Sequence, residues 1–193
     1  MISCLMITQA KRQALAERAI AAFDAQSYKD RELIIVTLDD VSALKRPFYK
    51  AKVGTTLNQM RGIGLGVAKG DLVCLWDDDD VHHPDRLKRQ VEVLATVPQA
   101  DACLLERVLL HWPERGLAVV SEPRQWEPTL LAKRLSLLAK PGRFPPTPRN
   151  EVDLGGMSVV QLCEPWLYTY FVHGANTNDA SHFQHWFDRA VSR

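Results

Sequence analysis

No stretch of this 193-residue chain reaches the roughly 18 uninterrupted apolar residues that a membrane-crossing helix needs, so an integral membrane protein is not expected. The start, Met1 to Thr8, lacks a basic segment followed by a long apolar core and a small-residue cleavage site, and does not read as a secretory signal. Charge of one sign is missing too. With 24 Lys and Arg against 23 Asp and Glu the formal net charge is +1, which gives no electrostatic basis for bulk nucleic-acid binding. Cysteine is sparse: Cys4, Cys74, Cys103 and Cys163 form no Cys-x-x-Cys pair, and three of them lie in apolar stretches. That favours buried, reduced thiols over a disulfide or zinc framework. The expectation is a soluble cytoplasmic protein. Peripheral membrane contact stays open, because Lys133, Arg134, Lys140 and Arg143 lie near apolar leucines, a pattern that an ordinary solvated helix face also gives.

The length suits one well-buried α/β domain. Strands are expected at Ile2 to Ile7 and Glu32 to Leu38, with a helix over Ala14 to Ala25 between them, where Leu15, Ala19, Ala22 and Phe23 recur at helical spacing. A polar loop follows from Asp39 to about Gly54. Thr56 to Ala68 reads as a helix weakened by Gly62, Gly64 and Gly66, whose number suggests close approach of the backbone to a neighbouring strand or ligand. Leu87, Val91 and Leu94 mark a further helix. Asp101 to Trp112 and Leu117 to Ser121 look like two antiparallel strands joined by a turn at Pro113 to Gly116. A helix is expected over Leu130 to Leu138, then a proline-rich loop from Lys140 to Arg149 that could cover a site. Val159 to Cys163, Trp166 to Val172 and Ser181 to Val191 read as helix, strand and terminal helix.

Four consecutive aspartates, Asp77 to Asp80, follow the apolar run Asp71 to Trp76. Such a run is a buried strand, and open α/β sheets bind ligands beyond the C-terminal ends of their strands. Adjacent carboxylates raise one another's pKa unless a cation offsets them, and hard divalent ions are held by such oxygens. The pattern points to a metal and phosphate site. A solvated acidic loop is the plain alternative, with Pro84 and Asp85 as helix-start residues.

Taken in order, Ile2 to Thr8, Gln26 to Val36, Asp39-Asp40, Arg61 to Gly70 and Leu75 to Leu87 resemble the family 2 glycosyltransferases of the GT-A fold. The resemblance runs over most of the chain. It implies an α/β fold: a single Rossmann-like domain, residues 1–193, with a central, mainly parallel, mixed sheet flanked by helices. Residues 1–98 would form the nucleotide-sugar-binding half and 99–193 the acceptor-binding half. It further implies a metal-dependent inverting transfer of sugar from a nucleotide-diphosphate donor to a hydroxyl of a saccharide or lipid-linked saccharide acceptor in surface glycan biosynthesis, with Mn²⁺ or Mg²⁺ as cofactor.

By the same resemblance Thr8, Asp39, Asp40, Arg61, Asp77 and Asp78 contact the donor, and Asp77 and Asp79 hold the metal, with Asp80 as an alternative ligand and His173 as an added nitrogen donor. The base that takes the acceptor proton falls on Asp153, with Glu151 as the other candidate. Asn176 and Thr177 are candidate hydrogen-bond donors to phosphate, and Trp126 could stack on a sugar. Each has a plain reading as well: an Asx turn at Asp39 or Asp40, a surface charge at Arg61, helix capping at Asp153. Departures from the family pattern bear on the nucleobase pocket and the acceptor side. The usual Pro-Thr-Tyr-Asn-Arg after the first strand is here Ile7 to Arg12, Gly62 stands where Asn is common, and the acidic pair is split by Val152. Those departures sustain an alternative, a non-catalytic nucleotide-sugar-binding domain acting as a scaffold or partner subunit. A nucleotidyltransferase ranks low, because no glycine-rich loop with a following lysine lies near the first strand.

Overall fold

A computed structural model describes residues 1–146, 152–174, 176 and 180–191. The elements run β1 (Ile2–Thr8), α1 (Gln13–Asp24), β2 (Arg31–Thr37), β3 (Phe48–Lys50), α2 (Leu57–Val67), β4 (Leu72–Leu75), β5 (Val81–His82), α3 (Arg86–Thr96), β6 (Ala102–Leu105), β7 (Leu109–Trp112), β8 (Leu117–Val120), β9 (Trp126–Lys133), α4 (Arg134–Leu138), β10 (Val159–Leu162), β11 (Tyr168–Phe171) and α5 (Ala180–Val191). A seven-stranded sheet has the order β10-β6-β9-β4-β1-β2-β3, and a smaller one the order β5-β11-β7-β8.

β1 sits inside the large sheet, parallel to β2 on one side and β4 on the other. Its alternate residues serve opposite faces: Cys4 and Met6 pack with Ala16, Ala19 and Phe23 of α1, while Leu5 packs with Met60 and Leu65 of α2. A parallel strand covered on both faces reads as an unbroken apolar run, which is why this half of the fold is plain in the sequence. α2 begins with a capping box between Thr56 and Gln59. Of its three glycines, Gly64 has the close-approach role: a Cβ there would lie 3.1 Å from a Leu5 methyl, whereas Gly62 and Gly66 face open space.

The second half departs from expectation. β9 occupies Leu130 to Lys133, expected as helix, so that only Arg134–Leu138 is helical. Helix-forming leucines there are overridden by two partners, since β9 fills the gap between β4 and β6 and pairs antiparallel with both. Pro128 is tolerated because the β6–β9 ladder is irregular beside it, where Leu105 N donates to Thr129 Oγ1 and that hydroxyl donates to Trp126 O. β10, also expected as helix, is a short edge strand whose Val159 and Val160 suit the pleat. The segment expected as one strand from Asp101 to Trp112 divides into β6 and β7, which belong to different sheets. Its hairpin with β8 is present. The loop from Asp39 to Gly54 contains β3 and a 3-10 turn at Ser42–Leu44. Cys4, Cys74 and Cys103 are buried thiols, as expected, and Cys163 is exposed. Among the described residues no helix is long and apolar enough to cross a membrane.

Candidate active site

Parallel β1 and β4 end at the same edge of the large sheet, at Thr8 and Leu75. The chain leaves β4 through Trp76, passes Asp77 to Asp80, and enters the second sheet as β5. The aspartates therefore occupy the joint between the two sheets. Beside them opens a cavity of about 1030 Å³ whose walls include Thr8, Arg12, Arg61, all four aspartates, Glu127, Val152, Leu154, Asn176 and an aromatic group of Trp126, Tyr170 and Trp186.

The four carboxylates have four different environments. Asp77 lies 3.4 Å from Arg61 Nη2; burial pushes its pKa up while the charge of Arg61 opposes that. Asp78 accepts from Thr8 Oγ1 at 2.7 Å and pairs with Arg12 Nη2 at 2.8 Å, and burial raises its pKa to about 7 against the pull of Arg12. Asp79 meets Arg12, His173 Nε2 at 3.2 Å and Asn176 Nδ2 at 3.4 Å. Burial would raise its pKa, but His173 and Arg12 outweigh that and hold it low. Asp80 faces the other way: Tyr168 Oη donates to one oxygen and Phe171 N to the other at 2.8 Å. Offered as an alternative metal ligand, it instead clasps the loop to β11, with burial and its aspartate neighbours favouring the neutral acid.

Arg61, buried on α2, also donates to Glu127 Oε1 at 3.1 Å. Behind the loop, fully buried Arg86 donates to Gln90 Oε1, Leu75 O, Pro128 O and His82 Nδ1. Since arginine only donates, His82 carries its proton on Nε2, which faces Asp77 O at 3.1 Å. Burial and the neighbouring cation keep that imidazole neutral. Arg12, Arg86, Glu127 and Tyr168 were not expected in this site. Arg86 is the first residue of a helix read only for its apolar face, and Glu127 lies on a strand that the sequence hid.

The other expected residues are more scattered. Asp39 accepts from Ala10 N at 2.8 Å and so ties the β1–α1 loop to the end of β2; Asp40 accepts from Ser42 N in an Asx turn that holds its pKa low. Leu38, rather than either aspartate, lines the cavity. Asp153 is half exposed, accepts from Lys140 Nζ at 2.5 Å and Gly155 N at 2.8 Å, and is held below the usual carboxylate range by them. Its neighbours Val152 and Leu154 face the cavity. Glu151 and Thr177 lie outside the described residues.

Among the described residues no three His, Cys, Asp or Glu side chains are placed to cage an ion. A hard cation that travels with a diphosphate needs only one or two protein carboxylates, the rest of its shell being phosphate and water. Asp77 and Asp79, both partly exposed to the cavity, with His173 against Asp79, fit that case.

This topology, with an aspartate loop at the end of β4, defines a GT-A fold, and solved structures agree. The TarS fragment 1–349 from S. aureus, in complex with UDP-GlcNAc, superposes with a TM-score of 0.67 at 13% identity, covering 91% of this chain and 59% of that one. The mannosyltransferase PcManGT from Pyrobaculum calidifontis, in complex with GDP-Man and Mn²⁺, gives 0.68 at 16% identity, covering 91% and 58%. Residues 50–134 match the family described as Glycosyl transferase family 2, so the resemblance drawn from the sequence holds over the stretch that carries Arg61 and the aspartates. Protein CgeD of Bacillus subtilis (strain 168) is 35% identical over 66 residues, which is 34% of this chain and 15% of that protein. The chain thus spans a small part of this curated relative and under two thirds of either structural neighbour.

Proposed function

We propose that the protein transfers a sugar from a nucleoside-diphosphate donor to a hydroxyl acceptor, at the cavity where β1 and β4 end. One observation carries this: a single cavity of about 1030 Å³ is lined by carboxylates and arginines together with a group of aromatics that meet edge to face or tilted. The charged groups suit a diphosphate with its cation, and half-buried Tyr170 and Trp186 suit the apolar face of a sugar, whereas Trp126, expected to stack on one, is buried with the Arg124 guanidinium 4.3 Å from its ring centre. The structural neighbours bind UDP-GlcNAc and GDP-Man with Mn²⁺, which supports a nucleotide-sugar donor here.

Glycosyl transfer leaves negative charge on the departing diphosphate while the sugar becomes oxocarbenium-like. Asp77 and Asp79, with His173, would hold Mn²⁺ or Mg²⁺, which when bound neutralises that charge. Thr8 fixes Asp78, and Glu127 with Asp77 fixes the Arg61 guanidinium, so the charged wall is set before the donor arrives. In an inverting reaction a carboxylate must also take the acceptor proton. Asp153, tied to Lys140, is poorly placed for it, and Glu151 becomes the better candidate. We place the acceptor among saccharides or lipid-linked saccharides of surface glycans and the reaction in the cytoplasm. The engagement of Asp153 also favours a second reading, a nucleotide-sugar-binding domain without turnover.

The test is thermal unfolding of wild type and Asp79→Asn with UDP, GDP, dTDP or CMP, each with and without Mn²⁺. At about 100 times Kd a ligand adds about 2.7 kcal/mol, or roughly 5–10 °C for a chain of this size. The expected result is such a rise with one nucleotide plus Mn²⁺, lost in the variant. No rise with any pair rejects the donor site, and donor binding without consumption across an acceptor panel selects the second reading.

A further inference from the structure

Arg12 holds the aspartate cluster differently from every other arginine around it. Arg61 and Arg86 are fixed by directed hydrogen bonds to side chains and carbonyls. Arg12 meets Asp78 and Asp79 through the single nitrogen Nη2, in ion-pair contact with both and with no two-pronged fork on either, and its buried Nε has no hydrogen-bond partner among the described residues. Its backbone belongs to a three-residue 3-10 turn with no side-chain cap. Charge, rather than fork geometry, keeps the guanidinium in place, and a contact of that kind gives way to a stronger cation.

The carboxylate it covers on the cavity side is Asp79, the one that His173 and Asn176 also approach. We infer that Arg12 is the resting counter-ion of the aspartate loop, that it competes with a divalent cation for Asp79, and that it turns to an oxygen of the donor's diphosphate once the cation has displaced it. This rests on the donor site proposed above and adds an order to it: the cation and the arginine exchange places. Asp77 has Arg61 beside it and Asp80 turns away to Tyr168, so Arg12 is the arginine that offsets the adjacent carboxylates Asp78 and Asp79 while the chain waits for its ligand. An arginine that already lines the cavity gains phosphate as its new partner without leaving the site.

The consequence is a pair of effects with opposite signs, read by binding alone. Mn²⁺ affinity without nucleotide, followed by titration calorimetry or the free-Mn²⁺ paramagnetic resonance signal, is expected to rise about fivefold in Arg12→Met, the upper end for one partly exposed ion pair. Affinity for the nucleoside diphosphate selected by the unfolding screen, at saturating Mn²⁺, is expected to fall by about the same factor. Arg12→Lys, which keeps the charge and the fold should the apolar variant misfold, is expected between the two. Unchanged or weaker Mn²⁺ binding in both variants, with wild type binding normally, overturns the exchange and makes Arg12 a structural brace. Wild type that binds neither Mn²⁺ nor nucleotide overturns the donor site itself and this inference with it.

Discussion

Asp153 sits between two residues that face the cavity and itself faces Lys140. Val152 and Leu154 line the cavity, while the Asp153 carboxylate is taken up by Lys140 Nζ and Gly155 N. Asp153→Asn is therefore expected to keep sugar transfer within a few-fold of wild type while loosening the Lys140 and Gly155 contacts. Transfer rates at saturating donor check this, and a loss of about a hundredfold or more would restore Asp153 as the base. The aspartate run was legible because its chemistry is crowded into four adjacent letters. The sequence does not show that those four residues have four different partners. Asp80 turns towards Tyr168, 88 positions away, and Asp78 towards Thr8, 70 positions away, and such choices are made by the fold rather than by neighbours in the chain.

At the scale of elements, the entry to β4 is the tightest point. A Cβ on Gly70 would stand 2.7 Å from Met1 O, 2.8 Å from Ser3 N and 2.9 Å from Leu72 O, all backbone atoms that cannot swing aside. Gly70→Ala is expected to cost about 1–3 kcal/mol or more by forcing β1 and β4 apart, measured as a lower midpoint of urea unfolding. A midpoint within error of wild type would mean that the strand ends yield freely. Strands covered on both faces, such as β1 and β2, were readable as apolar runs, as were α1 and α3 by their spacing. β9 was not, because its leucines and alanine serve helix and buried strand equally, and neither was β10, whose four residues are too few to show a period; what decided both was the open edge of β4 and of β6.

For the whole molecule, the two sheets bury three of the four thiols. Cys4, Cys74 and Cys103 have no exposed surface, and burial pushes the Cys103 pKa up to about 12. Cys163 is exposed, with its pKa raised by the hydrogen bond to Glu106. The native protein is expected to react with a thiol reagent at Cys163 alone, faster as pH rises towards its pKa, and at all four positions after denaturation. A second rapid thiol in the native state would mean that the core opens on the time scale of the assay.

The place of β9 bears on how the chain comes to be made. β4 is complete at Leu75, but the strand that covers its edge begins only at Trp126, about 50 residues later. At roughly 5–20 residues per second a ribosome leaves that edge bare for about 3–10 seconds, the interval in which nascent chains are open to chaperones or to one another. A transcript truncated between the two strands would yield a sheet with a sticky side, so residues 1–98 cut off after α3 are expected to expose the β4 edge that β9 covers in the whole chain.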